Sequence, residues 1–153
     1  MIVVSDTTAI TTLLKAGEER LLRELFGTVT IPQAVWDELH AFHSSLPEFV
    51  ELRQATEPDQ RLPGTETVGR GEAEAIKLAK KIRADLQLVD DRKARAAAKR
   101  LGISCLALAG LAVQAKQSGR ISSVRDFIEK LESQGGLYLS ESVKAEALRS
   151  AGE

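Results

Sequence analysis

Short aliphatic segments alternate with amphipathic segments along most of this chain, and this alternation limits the folds open to it. Strands are predicted at residues 2–4, 28–31, 86–89 and 103–107, which are short runs rich in Val, Ile and Leu. Helical periodicity fills most of the sequence between them. Strands that alternate with helices favour right-handed βαβ units, so the sequence predicts an α/β fold with a central parallel sheet and helices on both of its faces.

The predicted helices are recognised by apolar spacing and by the residues at their ends. They cover residues 7–16, 18–26, 72–84, 91–101, 108–118, 122–132 and 141–150, and a further helix starts at Pro32 with Val35, Trp36 and Leu39 on its apolar side. Residues 44–70 hold three of the four prolines and predict a loop with one edge strand near residues 49–52. The last helix has Val143, Ala147 and Leu148 as its apolar stripe, which either covers the core, the favoured interpretation, or joins two subunits as a homodimer.

Composition excludes several classes of protein. A chain of 153 residues, 43% of them hydrophobic, is predicted to form a single domain over residues 1–153. Its 21 Lys and Arg against 22 Asp and Glu exclude a globally basic binder of nucleic acid. One cysteine, Cys105, excludes an internal disulfide and, with an N-terminus that has no leader pattern, predicts a cytoplasmic location. The longest uncharged run, residues 101–115, is shorter than the roughly 20 residues of a spanning helix, so no membrane segment is expected.

Acidic side chains follow two predicted strands at their carboxyl ends, where an open parallel sheet binds its ligand. Asp6 follows the first strand, and Asp90 and Asp91 directly follow another. Glu38 lies on the helix after the second strand, and Glu72 lies in the first turn of a later helix. Three or four carboxylates without a Cys or His partner suit Mg²⁺ or Mn²⁺ and do not suit zinc.

Each of these acids also has an ordinary structural role. Asp6 and Asp90 are suited to capping the helices that follow them. Glu72 can complement a helix dipole, and Glu38 can belong to a solvated helix face. Glu72 also competes with Glu74, because residues two apart on a helix point about 200° apart and cannot both face one ion. Glu72 is assigned to the site because it lies in the first turn, and Glu74 is expected to face solvent.

Four acidic blocks in this order resemble the PIN-domain nucleases. The blocks are VVSDTTAI, IPQAVWDEL, GEAEAI and LVDDRKAR, beginning at residues 3, 31, 71 and 88. The sequence is similar in particular to the small prokaryotic PIN proteins related to VapC-type toxin ribonucleases of toxin–antitoxin pairs. That branch usually carries a Gly-Thr pair after the strand that follows the last acid, whereas residues 103–108 of this chain are ISCLAL.

The resemblance implies a three-layer PIN-like fold and a Mg²⁺- or Mn²⁺-dependent endoribonuclease, which hydrolyses RNA phosphodiester bonds by a two-metal mechanism. The family's catalytic, metal-binding acids match four positions of this chain, namely Asp6, Glu38, Glu72 and Asp90. Asp91 is the alternative to Asp90, and Thr8 matches the small hydroxyl residue that follows the first acid by two. RNA is the implied substrate, and an antitoxin protein is the partner of the toxin relatives.

Basic residues are concentrated between residues 77 and 100, with nine Lys and Arg against three Asp. Arg92, Arg95 and Lys99 recur at helical spacing on the helix that starts beside Asp90, so they are candidates for holding an RNA backbone. A solvated helix face is the alternative interpretation. His40 and His43 lie three residues apart, but no Cys or third His accompanies them, which argues against zinc.

Two other functions compete with a ribonuclease. The first is a catalytically inactive PIN-like module that acts as a binding or scaffold protein through a partner. The second is a phosphatase of the haloacid type, which also begins with an Asp at the end of a strand. That chemistry needs another acid two residues after the first, and here Thr8 stands at that position. The sequence therefore favours the nuclease.

Overall fold

The computed structural model describes residues 1–54 and 60–153. Five strands form one sheet in which every neighbouring pair is parallel, in the order β3-β2-β1-β4-β5. The strands are β1 (Val3–Ser5), β2 (Val29–Ile31), β3 (Val50–Leu52), β4 (Leu86–Leu88) and β5 (Cys105–Leu106). The predicted α/β fold with a central parallel sheet is confirmed, and the expected edge strand is β3.

The described residues form eight helices around this sheet. They are α1 (Thr7–Ala16), α2 (Arg20–Phe26), α3 (Gln33–Phe42), α4 (Arg70–Lys81), α5 (Arg92–Arg100), α6 (Leu108–Gln117), α7 (Val124–Ser133) and α8 (Glu141–Ser150). All three residues of β1 are buried, as expected for a central parallel strand covered on both faces. The expected three-layer arrangement, with a parallel sheet between two layers of helices, is thus the observed one.

Two predicted helix boundaries were wrong for identifiable reasons. Pro32 lies at the N-cap position of α3 and not inside its first turn. Helix α4 ends at Lys81 and not at residue 84, because Arg83 takes a left-handed conformation with φ of 53°. The N–H of Ala84 then donates to the carbonyl of Ala79 at 2.9 Å, which closes the helix.

The core lies where the helices meet the sheet. Large aliphatic side chains that are less than 2% exposed include Ile10, Leu13, Ile31 and Leu39. On the last helix, α8, Ala147 is buried and Leu148 is packed against the core, whereas Val143 remains 41% exposed. Among the described residues, no helix is long and apolar enough to span a membrane.

The strand order places one edge of the sheet at a topological switch. From β1 the chain first adds β2 and β3 on one side and later adds β4 and β5 on the other. Ser5 of β1 pairs with Leu88 of β4, and the N–H of Asp6 donates to the Leu88 carbonyl at 3.1 Å. A ligand crevice is expected where neighbouring connections diverge in this way. Asp6 and Asp90 therefore stand at the place where such folds bind ligands.

Candidate metal centre

Asp6 is the most enclosed of the candidate acids, with 1% of its surface exposed. Its Oδ1 accepts from the N–H of Ala9 at 3.0 Å, so it caps α1 as the sequence indicates. Its Oδ2 accepts from the N–H of Asp90 at 3.4 Å. Burial raises the pKa of the Asp6 carboxyl to about 7, and the charges of Asp90 and Glu72 act in the same direction.

Asp90 lies beside Asp6 and has one oxygen without a partner. Its Oδ1 accepts from the N–H of Leu108 at 3.1 Å, which ties the end of β4 to the start of α6. Its Oδ2 is buried and accepts no hydrogen bond from the described residues. Burial raises the pKa of this carboxyl, and the positive charge of Arg95 opposes the shift. A buried carboxylate oxygen left in this state is a group that a cation can satisfy.

The expectation that Asp90 caps the helix after it was wrong, because Asp91 fills that role. Asp91 Oδ2 accepts from the N–H of Ala94 at 2.9 Å at the first turn of α5. Asp90 instead serves α6, whose own N-cap residue, Ala107, supplies no side-chain hydrogen bond. Since Asp91 is exposed and already engaged in a cap, Asp90 is the better placed of the two neighbours for a ligand role.

Glu38 reaches the same crevice from α3. The hydroxyl of Thr7 donates to its Oε2, which links the first turn of α1 to the carboxylate. Gly71 leaves the space that this carboxylate occupies, since a Cβ on Gly71 would lie 2.7 Å from Glu38 Oε1. The sequence had pointed to Thr8, which is exposed. Neither the role of Thr7 nor that of Gly71 had a signal in the sequence, because both depend on how α3 lies against its neighbours.

Glu72 enters the crevice from the first turn of α4. Its carboxylate folds back over Gly69, the N-cap residue of that helix, so closely that a Cβ there would overlap Oε2. Burial raises the pKa of Glu72, helped by the negative charges of Asp91 and Glu38, while hydrogen bonds from the backbone oppose the shift. Glu72 thus combines a capping position with a place among like charges.

Glu74 does not face solvent, and that expectation was wrong. It is 7% exposed, its Oε1 accepts from the N–H of Ala34 at 3.2 Å, and its Oε2 pairs with Arg70 Nε at 3.3 Å. Because α4 packs against α3, Glu74 meets the buried N–H of Ala34, which belongs to the first turn of α3 and has no partner within that helix. Glu74 therefore stabilises a helix end, and Glu72 is the residue of the pair that lies among the acids.

The donor set fits Mg²⁺ or Mn²⁺ in its chemistry. Within residues 1–54 and 60–153, no three His, Cys, Asp or Glu side chains already stand in one metal-binding group. The acids are nevertheless mutually repelling carboxylates, and Asp90 Oδ2 has no partner among the described groups. Hard oxygen ligands of this kind are those that Mg²⁺ and Mn²⁺ prefer.

The structure places the candidate basic residues on α5 and the two histidines at the C-terminal end of α3. On α5, Arg92 and Lys99 are exposed and Arg95 is half-buried near Asp90. The ring of His40 lies 4.4 Å from that of Trp36 between centroids, and its Nδ1 is 3.0 Å from the Trp36 carbonyl. His43 Nε2 lies 2.5 Å from the hydroxyl of Thr11. The two histidines therefore have different partners.

Comparison with known proteins adds two matches. The family model described as DUF3368, PIN domain, matches residues 2–153. Among solved structures, a PilT N-terminus domain protein, SSO1118 from the hyperthermophilic archaeon Sulfolobus solfataricus P2, superposes with a TM-score of 0.54 at 19% identity. That match covers 72% of this chain and 90% of the archaeal chain, and it concerns the fold. No curated protein gave a significant match to the sequence.

Proposed function

The chain belongs to the PIN-domain family DUF3368, and on that premise we propose that it is a nuclease that hydrolyses RNA with the help of Mg²⁺ or Mn²⁺. Asp6, Glu38, Glu72 and Asp90 are the proposed catalytic acids. They come from four separate segments, and the sheet topology brings two of them together at its switch point.

One observation carries the proposal. Asp6 is buried and accepts from the backbone N–H of Asp90, and a buried carboxylate oxygen of Asp90 has no hydrogen-bond donor among the described residues. Burial raises the pKa of both carboxyls, and the charge of Asp90 raises the pKa of Asp6 further, so ionising this pair near neutral pH destabilises the metal-free protein. A cation bound by these carboxylates removes that penalty.

The chain's own groups have distinct tasks in this proposal. Asp6 and Asp90 would hold the cation, since the N–H groups of Ala9 and Leu108 already orient them. Glu72 and Glu38 would complete the ligand set from the helices α4 and α3. When bound, Mg²⁺ or Mn²⁺ neutralises charge at a phosphodiester and lowers the pKa of a coordinated water, as in the two-metal scheme implied by the family. Thr7 positions Glu38 by donating to it.

RNA would be held mainly through its phosphates. Arg92 lies at the start of α5, beside the carboxylates, and Lys99 lies in the last turn of the same helix. Only 4% of the residues are aromatic, so stacking on bases contributes little. A role as the toxin of a toxin–antitoxin pair, with an antitoxin protein as partner, is a narrower form of this proposal. A small gene for an antitoxin next to this one would support that narrower form.

The test is RNA cleavage with matched variants. Single-stranded RNA is incubated with the wild type in Mn²⁺, in Mg²⁺ and in chelator, and the products are separated by size. We expect cleavage that requires the metal and that is lost in Asp6→Asn. Asp126→Asn is the control, because Asp126 is an exposed acid on α7. Wild type that leaves RNA intact with either metal would favour the inactive PIN-like scaffold instead.

A further inference from the structure

A second feature of the molecule lies at the opposite end of α5 from the carboxylates. The C-terminal ends of α4 and α5 enclose a cavity of about 420 Å³, whose lining includes Lys80, Arg83, Leu101 and Gly102. Among the described residues that line it, two are cationic and none is acidic. The nearest acid in sequence, Asp85, accepts from the N–H of Ile2 at 2.6 Å. The charged side chains that line the cavity are therefore all cationic.

Arg83 occupies a position that glycine usually fills. The N–H of Arg83 donates to the carbonyl of Lys80, and that of Ala84 donates to the carbonyl of Ala79, which together make a Schellman turn at the end of α4. Arg83 has φ of 53°, and among the described residues it is the one non-glycine residue with positive φ. A side chain in this conformation strains the backbone. An arginine in place of glycine therefore costs backbone strain, and it puts a guanidinium at the edge of the cavity.

Lys80 contributes a second cation to the cavity. Its Nζ donates to the carbonyl of Leu101 at 2.9 Å, which fixes the ammonium between the ends of α4 and α5. An ammonium has three N–H donors, so this bond leaves others for a ligand. A lysine held in this way and a guanidinium on an exposed turn form a pair of donors suited to phosphate oxygens.

A cationic surface connects the cavity with the carboxylates. The exposed residues of α5 are Arg92, Lys93, Ala96, Lys99 and Arg100, and none of them is acidic. Helix α5 has nine residues. At a rise of 1.5 Å per residue, it separates the two places by about 14 Å. An RNA strand of a few nucleotides can bridge that distance while its phosphates follow the helix.

We propose that the cavity between the ends of α4 and α5 binds a backbone phosphate of the RNA strand, several nucleotides away from the bond at the carboxylates. Arg83 and Lys80 are the residues that contact this phosphate. The inference rests on the proposed function for the identity of the ligand, and it adds a remote docking point that lengthens the RNA footprint along α5.

The experiment measures binding and not cleavage. Fluorescently labelled oligouridylate is titrated with wild type and variants in chelator over a series of salt concentrations, and the anisotropy gives the affinity. Arg83→Gln and Lys80→Gln should weaken binding, and each should flatten the slope of log K against log salt by about 0.7. Arg149→Gln, on α8, is the control and should change neither quantity. Affinity and slope unchanged in both cavity variants would overturn the inference.

Arg83→Gly separates the ligand role from a structural one. Glycine relieves the backbone strain, so this variant should melt higher, by about 2–4 °C, and yet bind the oligonucleotide more weakly. A variant that melts lower and binds normally would assign Arg83 to the fold alone and contradict the inference. Inorganic phosphate at matched ionic strength tests for a free anion. If it raises the melting temperature in an Arg83-dependent way while RNA binding is unchanged in the variants, the RNA assignment is overturned.

Measuring RNA binding in chelator also distinguishes the cavity proposal from the nuclease proposal. Wild type that binds the oligonucleotide through Arg83 but cleaves no RNA with metal would refute the nuclease and leave the cavity assignment standing. If the wild type cleaves RNA, and the cavity variants bind RNA with the same affinity and salt slope as the wild type, the cavity assignment alone is refuted. Wild type that binds no RNA in chelator would overturn the cavity assignment.

Discussion

The backbone N–H of Asp90 donates to Oδ2 of Asp6 at 3.4 Å, across the parallel strands β1 and β4. This contact brings together two acids that are far apart in the sequence. Both lie in the crevice at the topological switch point, where the order of strand addition reverses. Both carboxylate oxygens of Asp6 accept hydrogen bonds from backbone N–H groups, whereas one buried carboxylate oxygen of Asp90 accepts none from the described residues. The pair is thus oriented but incompletely satisfied.

Removing the charge of Asp90 should stabilise the metal-free protein. In chelator, Asp90→Asn should raise the melting temperature by about 2–4 °C, because it relieves repulsion with Asp6 and the cost of a buried charge while Oδ1 can still accept from Leu108. In Mg²⁺ the order should reverse, since at a hundredfold excess over Kd the ion stabilises the wild type by about 2.7 kcal/mol. Melting curves of the two proteins under both conditions check this.

Asp91→Ala is the matched comparison for that experiment. It removes the cap on α5 and should lower the melting temperature in chelator, by roughly 1 kcal/mol of stability. The increase in its melting temperature on adding Mg²⁺ should stay close to that of the wild type. If stabilisation by Mg²⁺ is lost in Asp91→Ala and persists in Asp90→Asn, then Asp91 and not Asp90 is the ligand.

The two acids at the start of α4 should respond differently to the same substitution. Glu72→Gln should remove most Mn²⁺ binding, because Glu72 lies among the acids of the crevice. Glu74→Gln should leave it nearly intact, since an amide oxygen can still accept from the N–H of Ala34. Titration calorimetry with Mn²⁺ measures both. Equal losses of affinity would show that Glu72 has been wrongly singled out.

A methyl group on Gly71 should act on the site without harming the fold. A Cβ there would lie 2.7 Å from Glu38 Oε1, so Gly71→Ala should push that carboxylate away. Alanine also favours the helix by up to about 1 kcal/mol relative to glycine, so the melting temperature in chelator should not fall. Mn²⁺ affinity should drop as far as it does in Glu38→Gln. Unchanged affinity in both Gly71→Ala and Glu38→Gln would mean that Glu38 is not a ligand.

The stability of the metal-free protein should fall as the pH rises towards neutrality. The folded pKa of Asp6 is about 7, above its ordinary value of 3.8. Between these two values the folded state holds more protons than the unfolded state, so the free energy of unfolding decreases with pH and levels off above pH 7. The contribution is on the order of 4 kcal/mol. Urea unfolding across this range should show the decrease in wild type, and Asp6→Asn should show a much shallower one; the same slope in both would refute this account of Asp6.

The positions of the acids along the elements could be predicted from the sequence. Asp6 and Asp90 follow aliphatic strands, and the carboxyl ends of parallel strands meet at one edge of a sheet. The alternation of strands and helices made the parallel sheet predictable as well. These features depend on local periodicity and on the connection rules of βαβ units, both of which are visible in a single chain.

The contacts between α3 and α4 could not be predicted in the same way. Glu74 satisfies the N–H of Ala34, and Gly71 makes room for Glu38, only because the two helices approach closely. Helical spacing indicates which residues share a face but not which face meets which neighbour. The left-handed conformation of Arg83 could not be predicted for another reason. Such a turn is usually indicated by glycine, and this turn carries an arginine.

The location of a bound divalent ion tests the central claim most directly. Crystals soaked in Mn²⁺ should give an anomalous difference peak bounded by the carboxylates of Asp6 and Asp90, with Glu72 or Glu38 turned towards it. The same soak of Asp6→Asn should leave that position without a peak. A wild-type crystal with no manganese there, or with manganese held only at His40 and His43, would contradict the metal centre proposed for this protein.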